Sequence, residues 1–284
     1  MTTYAVTGAS GHFGRLAVEA LMSRGIAPAD IVAIARSTGK ISDLADKGVT
    51  VRFGNYDDDA SLDAALKGVD RLLLVSASEP GKRAPQHQAV ITAAENSGVD
   101  HIAYTSILGA TTTSNPLAGE HVATEQALAA SSVPSTLLRN SWYVENYTAQ
   151  IGQYTASGAV LGATKNATIT AATRADYADA AAVALIAAKA GSVYELGGPS
   201  FTLTDLAEAI TAATGTTVVY RDVSVPELAT AYEGFGMDAG TAGFFAAVDG
   251  SIAKGELFTD SGDLEALIGR KATSLVDAVA EAVA

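Results

Sequence analysis

The chain has 284 residues, with 18 Lys and Arg against 31 Asp and Glu, a formal charge of −13. Such acidity leaves no basic footprint for nucleic acid and disfavours anionic membrane surfaces, while 48% hydrophobic residues exclude a disordered or fibrous chain. The absence of Cys removes disulfides, thiolate nucleophiles and Cys-ligated metals, and the cytoplasm is the expected compartment. The start runs into a glycine loop without a leader pattern, and no apolar run is long enough for a membrane span.

Short apolar or β-branched runs alternate with amphipathic stretches, which predicts repeated strand–helix units and a parallel sheet. Strands are expected at 4–7, 31–35, 49–53, 71–76, 101–106 and 135–139, with helices at 13–24, 60–66, 85–97 and 120–130 between them. Gly25, Gly68 and Gly98 each follow a helical stretch, where a left-handed cap is wanted. Leu72–Val75 is continuously apolar, as a strand buried on both faces requires. Beyond Asn140, residues 141–154 read as a helix, 159–173 as extended chain, 174–190 as an Ala-rich helix and 192–196 as a late strand. Capped helices follow from 201 onward, and the glycine-rich stretch 234–243 reads as a flexible cover.

The expected fold class is α/β: a Rossmann-type doubly wound parallel sheet with a smaller C-terminal α+β lobe over its carboxyl edge. In residues, 1–155 form the nucleotide-binding lobe, 175–198 return to it, and 156–284 form the covering lobe. Ligands of open α/β sheets sit at that carboxyl edge.

The segment Gly8, Ala9, Ser10, Gly11, His12, Phe13, Gly14 follows the first strand and opens the first helix. Gly8 suits a tight turn, Gly11 lets backbone approach a pyrophosphate, and Gly14 lets the helix pack on the strand. Orphan N–H groups at the helix start then face the anion, which predicts dinucleotide binding. At the end of the second strand, Arg36 and Lys40 stand with no carboxylate between Asp30 and Asp43. A guanidinium there suits a 2′-phosphate, so NADP(H) is the expected cofactor. Asn55 and Tyr56 end the third strand, and Val75, Ser76 and Ala77 the fourth; both sets are cofactor candidates or merely capped strand ends. None of the ten Tyr residues has Lys four positions later, so the Tyr-x-x-x-Lys pair of ordinary short-chain dehydrogenases is missing.

Several strings carry a resemblance: the loop 7–14, 31–36, Ala84-Pro-Gln-His87, Ile102-Ala-Tyr-Thr-Ser106, His121-x-x-x-Glu125, 136–143, Thr173-Arg-Ala-Asp-Tyr177 and 251–269. Over essentially its whole length the chain resembles the NmrA-like, atypical short-chain dehydrogenase/reductase family, and within it the bacterial type 2 NAD(P)H:quinone oxidoreductases. Triphenylmethane reductases are similar but match less well. One departure is Asn55, where these proteins usually have Asp.

The resemblance implies a hydride passed from NADPH to a quinone, or a similar flat conjugated acceptor, without flavin or metal. A redox-sensing regulatory protein and a reductase of dyes are the alternative readings. A quinone chiefly needs orientation and a donor for charge developing on its oxygen. Asn140, at the end of the sixth strand, stands where that donor belongs, and Tyr104 is either a second donor or a core aromatic. Arg139 is either the cofactor-side neighbour or a salt-bridged strand end. Tyr143 is assigned to the cofactor side, with His121, Trp142, Tyr147 and Arg174 as pocket candidates. Residues 143 and 147 would lie one helical turn apart. His121 and Glu125 share a helix face but lack a third ligand for a metal. The loop 78–85 is the expected lid, and a homodimer is compatible with these residues without being dictated by them.

Overall fold

The computed structural model describes residues 1–284. Seven strands form one wholly parallel sheet: β1 (Tyr4–Val6), β2 (Ile31–Ala35), β3 (Thr50–Phe53), β4 (Arg71–Leu74), β5 (His101–Ile107), β6 (Ser135–Asn140) and β8 (Val193–Leu196). Their spatial order is β3-β2-β1-β4-β5-β6-β8. The order reverses between β1 and β4, which opens the crevice where doubly wound sheets take their ligands. A separate parallel pair joins β7 (Ala159–Gly162) to β9 (Val219–Asp222).

Strand alternation divides the apolar side chains between two faces. Tyr4, Val6, Ile31, Ala33 and Ala35 join one core, with the helices His12–Ser23 and Arg174–Ala187. Ala5, Val32, Ile34, Leu72 and Leu74 join the other, under Asp59–Leu66, Arg83–Ser97 and Ala118–Ala130. Leu72, Leu73 and Leu74 have no exposed surface, and each stabilises the sheet by about 2 kcal/mol.

A third core gathers Val144, Tyr147, Ile151 and Tyr154 with Phe201, Leu206, Ile210, Val248 and Val279. The residues packed in this core begin at Val144, and Leu264, Ile268 and Ala272 return to the first core. Two expectations need correction. The helix read over 141–154 is broken: Ala172 donates its N–H to Trp142 O (3.2 Å) and accepts from Val144 N–H (3.0 Å), holding Tyr143 in a bridge. Helix begins only at Glu145–Thr148 and resumes at Ile151–Ser157. The stretch 234–243 is not one irregular loop: the Asp238 carboxylate accepts from Thr241 N–H (3.0 Å) and caps the helix Ala239–Ile252, which takes in its second half. No helix is long and apolar enough to cross a membrane.

Candidate active site

A cleft of about 430 Å³ opens at the crevice between β1 and β4. Its floor is the first loop. Gly8 adopts φ +63°, and a Cβ on Gly14 would lie 2.3 Å from Gly8 O, so helix and loop touch through bare backbone. Gly11 caps the helix without any side chain. The N–H groups of His12, Phe13 and Gly14 have no backbone acceptor and open toward the cleft that these residues line. Ser10 also lines it. Ala9 does not: it is fully buried and spends its N–H on Ile34 O at 3.0 Å.

Arg36 lines the opposite rim, as expected, but pairs at 3.0 Å with Glu79, a carboxylate far away in sequence. Lys40 stands outside the cleft on an exposed 3-10 turn, its carbonyl accepting from Arg15 (2.8 Å). Asn55 lines the cleft with its Oδ1 turned to the backbone N–H of Asp57. Tyr56 presents its ring while its hydroxyl donates to Val75 O (2.8 Å) and meets Thr7 Oγ1 (2.6 Å), clamping β1 to β4. Val75, Ser76 and Ala77 complete the wall with their N–H groups already engaged by Thr7 Oγ1, Thr105 Oγ1 and His87 Nε2.

His87 positions that wall. Its Nε2 accepts from Ala77 N–H (2.9 Å) and its Nδ1 meets Thr124 Oγ1 (2.8 Å), whose own proton goes to Glu120 O. This partner set places the imidazole proton on Nδ1, and burial lowers the pKa to about 4. Gln86 and Gly54 also line the cleft; a Cβ on Gly54 would strike Ile34 Cγ2 at 2.5 Å. Sequence reasoning missed Gly54, Glu79 and Gln86. The family string 84–87 was the one signal pointing at Gln86 and His87.

The remaining candidates separate. Arg139 is held by Glu125 (2.6 Å) and Glu195 (2.8 Å), and hydrogen bonding to Glu125 raises its pKa. It is a half-buried tie from β6 to the helix Ala118–Ala130 and to β8, its guanidinium already engaged by two carboxylates. Tyr104 has no exposed surface, its hydroxyl shares a 2.7 Å bond with His121 Nδ1, and burial raises its pKa. Tyr104 thus lies wholly within the core, in contact with His121 and outside the lining of the cleft. Burial lowers the His121 pKa to about 3, so the imidazole is neutral.

Arg174, expected in the substrate pocket, lines the nucleotide cleft, donates to Asn146 Oδ1 (2.9 Å) and lies 4.6 Å above the Tyr143 ring. Tyr143 thus sits one layer behind the cleft wall, between Phe13 (6.2 Å) and Tyr177 (5.7 Å). Tyr147 diverges into the third core, edge-on to Phe201 (6.1 Å), because residue 143 is not helical. Trp142 packs half-buried against that same core. Neither residue lines the cleft.

Asn140 ends β6 with its side chain 4% exposed and neither Oδ1 nor Nδ2 bonded. Its polar neighbour is the Tyr143 hydroxyl, whose pKa burial raises and the approach of the Asn140 side chain lowers. A buried amide without partners costs about 1–3 kcal/mol, and this one lies at the carboxyl edge of the sheet, outside the lining of the nucleotide cleft.

Residues 8–188 match the NAD(P)H-binding family. The chain belongs to that family. Quinone oxidoreductase 2 of Escherichia coli is 46% identical over 277 residues, covering 97% of this chain and 96% of the relative. The crystal structure of an NADPH-dependent quinone oxidoreductase from E. coli complexed with NADPH superposes with TM-score 0.95 and 44% identity, covering 99% and 100% of the two chains. Triphenylmethane reductase of Citrobacter sp., complexed with NADP(H), gives TM-score 0.89 and 34% identity over 99% of both. The resemblance drawn from the sequence motifs is borne out, and so is the doubly wound fold. For a member of this family the cleft fits its nucleotide: three open N–H groups for a pyrophosphate, a bare Gly14 contact, and Arg36 on the rim.

Proposed function

We propose that this chain is an NADPH-dependent quinone reductase working without flavin or metal. The observation that carries the reading is Asn140, a buried amide with both polar atoms unspent at the end of β6, on the carboxyl edge of the sheet that holds the nucleotide cleft. Bound NADPH supplies the hydride. The backbone N–H groups of residues 12–14 hold the pyrophosphate, and Arg36 takes the 2′-phosphate. Phe13 and Arg174 shape the wall. The Asn140 Nδ2–H donates to the acceptor's oxygen as negative charge develops there, and low dielectric strengthens that bond. No Tyr-x-x-x-Lys pair is needed, because a quinone accepts hydride without prior protonation. The neutral charge of a quinone also suits a protein carrying −13. In this reading residues 156–284 cover the acceptor, with 1–155 and 175–198 holding the nucleotide.

Purified protein mixed with NADPH and a small benzoquinone should consume reduced nicotinamide absorbance. Failure with a panel of benzo- and naphthoquinones refutes the reading. Asn140→Ala should lower kcat about 100-fold while leaving the NADPH Kd unchanged, and an unaltered kcat removes Asn140 from the chemistry. The Citrobacter likeness favours one second reading, reduction of a triphenylmethane dye, which the same assay separates by relative kcat/KM.

A further inference from the structure

The guanidinium on the cleft rim is already partnered. Arg36 Nη1 lies 3.0 Å from Glu79 Oε1, and Glu79 Oε2 lies 3.2 Å from Lys82 Nζ. One carboxylate thus bridges two cations. Glu79 reaches Arg36 from the loop after β4, across the switch point of the sheet, so the pair ties the two walls of the cleft together. The side chains are 58% and 34% exposed, open to a solute without any backbone opening.

A carboxylate in this place acts oppositely on the two nicotinamide nucleotides. A 2′-phosphate must displace it from Arg36 and is repelled by it. A bare 2′-hydroxyl can donate to it, as ribose does to the strand-end carboxylate of NAD-binding sheets. We propose that Glu79 sets cofactor discrimination at this site by competing with the 2′-phosphate for Arg36, so that the preference for NADPH over NADH is narrower than Arg36 alone would produce. This rests on the nucleotide reading above.

The exchange is local. Once displaced, Glu79 retains Lys82, so no charge is left unpaired. The loop keeps its seat, because Gly81 N–H and Arg83 N–H donate to Glu120 Oε1 at 2.9 and 3.1 Å. Surface ion pairs are weak, so the competition is worth roughly three- to tenfold in affinity.

The test is a nicotinamide-fluorescence titration of the full chain with NADPH and with NADH, for the wild type, Glu79→Gln, Arg36→Ala and the double variant. Glu79→Gln should tighten NADPH by roughly three- to tenfold, leave NADH unchanged or weaker, and widen the Kd ratio. In the Arg36→Ala background the same substitution should yield a smaller gain, because the competition has lost its object. The widening should shrink in high salt. A ratio that stays constant or narrows in Glu79→Gln, or a gain undiminished without Arg36, overturns the assignment. A wild type that binds neither nucleotide overturns the nucleotide reading with it, whereas normal NADPH binding with an unmoved ratio removes Glu79 alone.

Discussion

Gly14→Ala tests whether the first helix and the nucleotide loop depend on one backbone contact. A Cβ at residue 14 would lie 2.3 Å from Gly8 O, 2.6 Å from Gly8 C and 2.9 Å from Ala9 Cα. A carbon and a carbonyl oxygen settle at about 3.3–3.6 Å, so loop and helix must part by roughly 1 Å. All three atoms are backbone, so no side chain can rotate away. The helix has nowhere to retreat, since Ala17, Val18 and Leu21 are fully buried in the core shared with Arg174–Ala187. Overpacking of this kind costs about 1–3 kcal/mol, and replacing a helical Gly by Ala returns up to about 1 kcal/mol. With the full return, the net loss of up to about 2 kcal/mol should lower Tm by up to roughly 8 °C for a chain of this size. Displaced N–H groups should also weaken NADPH by at least about tenfold. Calorimetry with and without NADPH, beside a fluorescence titration, reads both effects. Gly11→Ala, whose Cβ would meet Gly8 O at 3.3 Å, should disturb Tm less. A Gly14→Ala protein with wild-type Tm and wild-type NADPH affinity refutes the close-contact account of this loop.

Arg139→Met should lower stability by about 3–5 kcal/mol in urea unfolding, because it strands the Glu125 carboxylate, 8% exposed, without its cation. NADPH affinity should hold; lost affinity at unchanged stability would return Arg139 to the cofactor site. The neutral His87 predicts a pH dependence. Its pKa falls to about 4 in the fold, against about 6.5 unfolded. As pH drops, the unfolded chain therefore takes up the proton first, and stability declines between about pH 6.5 and 4 while staying flat above. His121, lowered to about 3 by the same burial, adds to that slope. His87→Gln should flatten the slope between pH 7 and 5, and an unchanged slope contradicts the neutral, buried imidazole.

Local chemistry was legible in the sequence wherever one segment supplied it. All seven strands of the main sheet were visible: β1, β2, β4 and β5, buried on both faces, are largely apolar runs, while the half-exposed β3, β6 and β8 showed as short β-branched or apolar segments between helices, and helix ends needed their glycines. The first loop was equally plain, since the turn, the anion approach and the helix contact use glycines within seven consecutive residues. β9 was not visible: Val219 and Asp222 are exposed, and a four-residue strand without an apolar period leaves no mark. Residues 141–154 misled, because helix propensity there loses to hydrogen bonds from Ala172, thirty residues on.

The charges divide in the same way. That residue 36 is a cation with no nearby carboxylate in sequence is a property of the chain; that Glu79 reaches it is a property of the sheet order, which brings the ends of β2 and β4 to one cleft. Arg139 and Asn140 are adjacent in sequence with opposite fates: strand alternation turns one toward two carboxylates and leaves the other an unpartnered amide. The sequence alone determined the fold class, the nucleotide loop and the family. Only tertiary packing decided which polar groups are spent on one another and which are left for a ligand, because a hydrogen bond is settled by what arrives within 3 Å, not by neighbours along the chain.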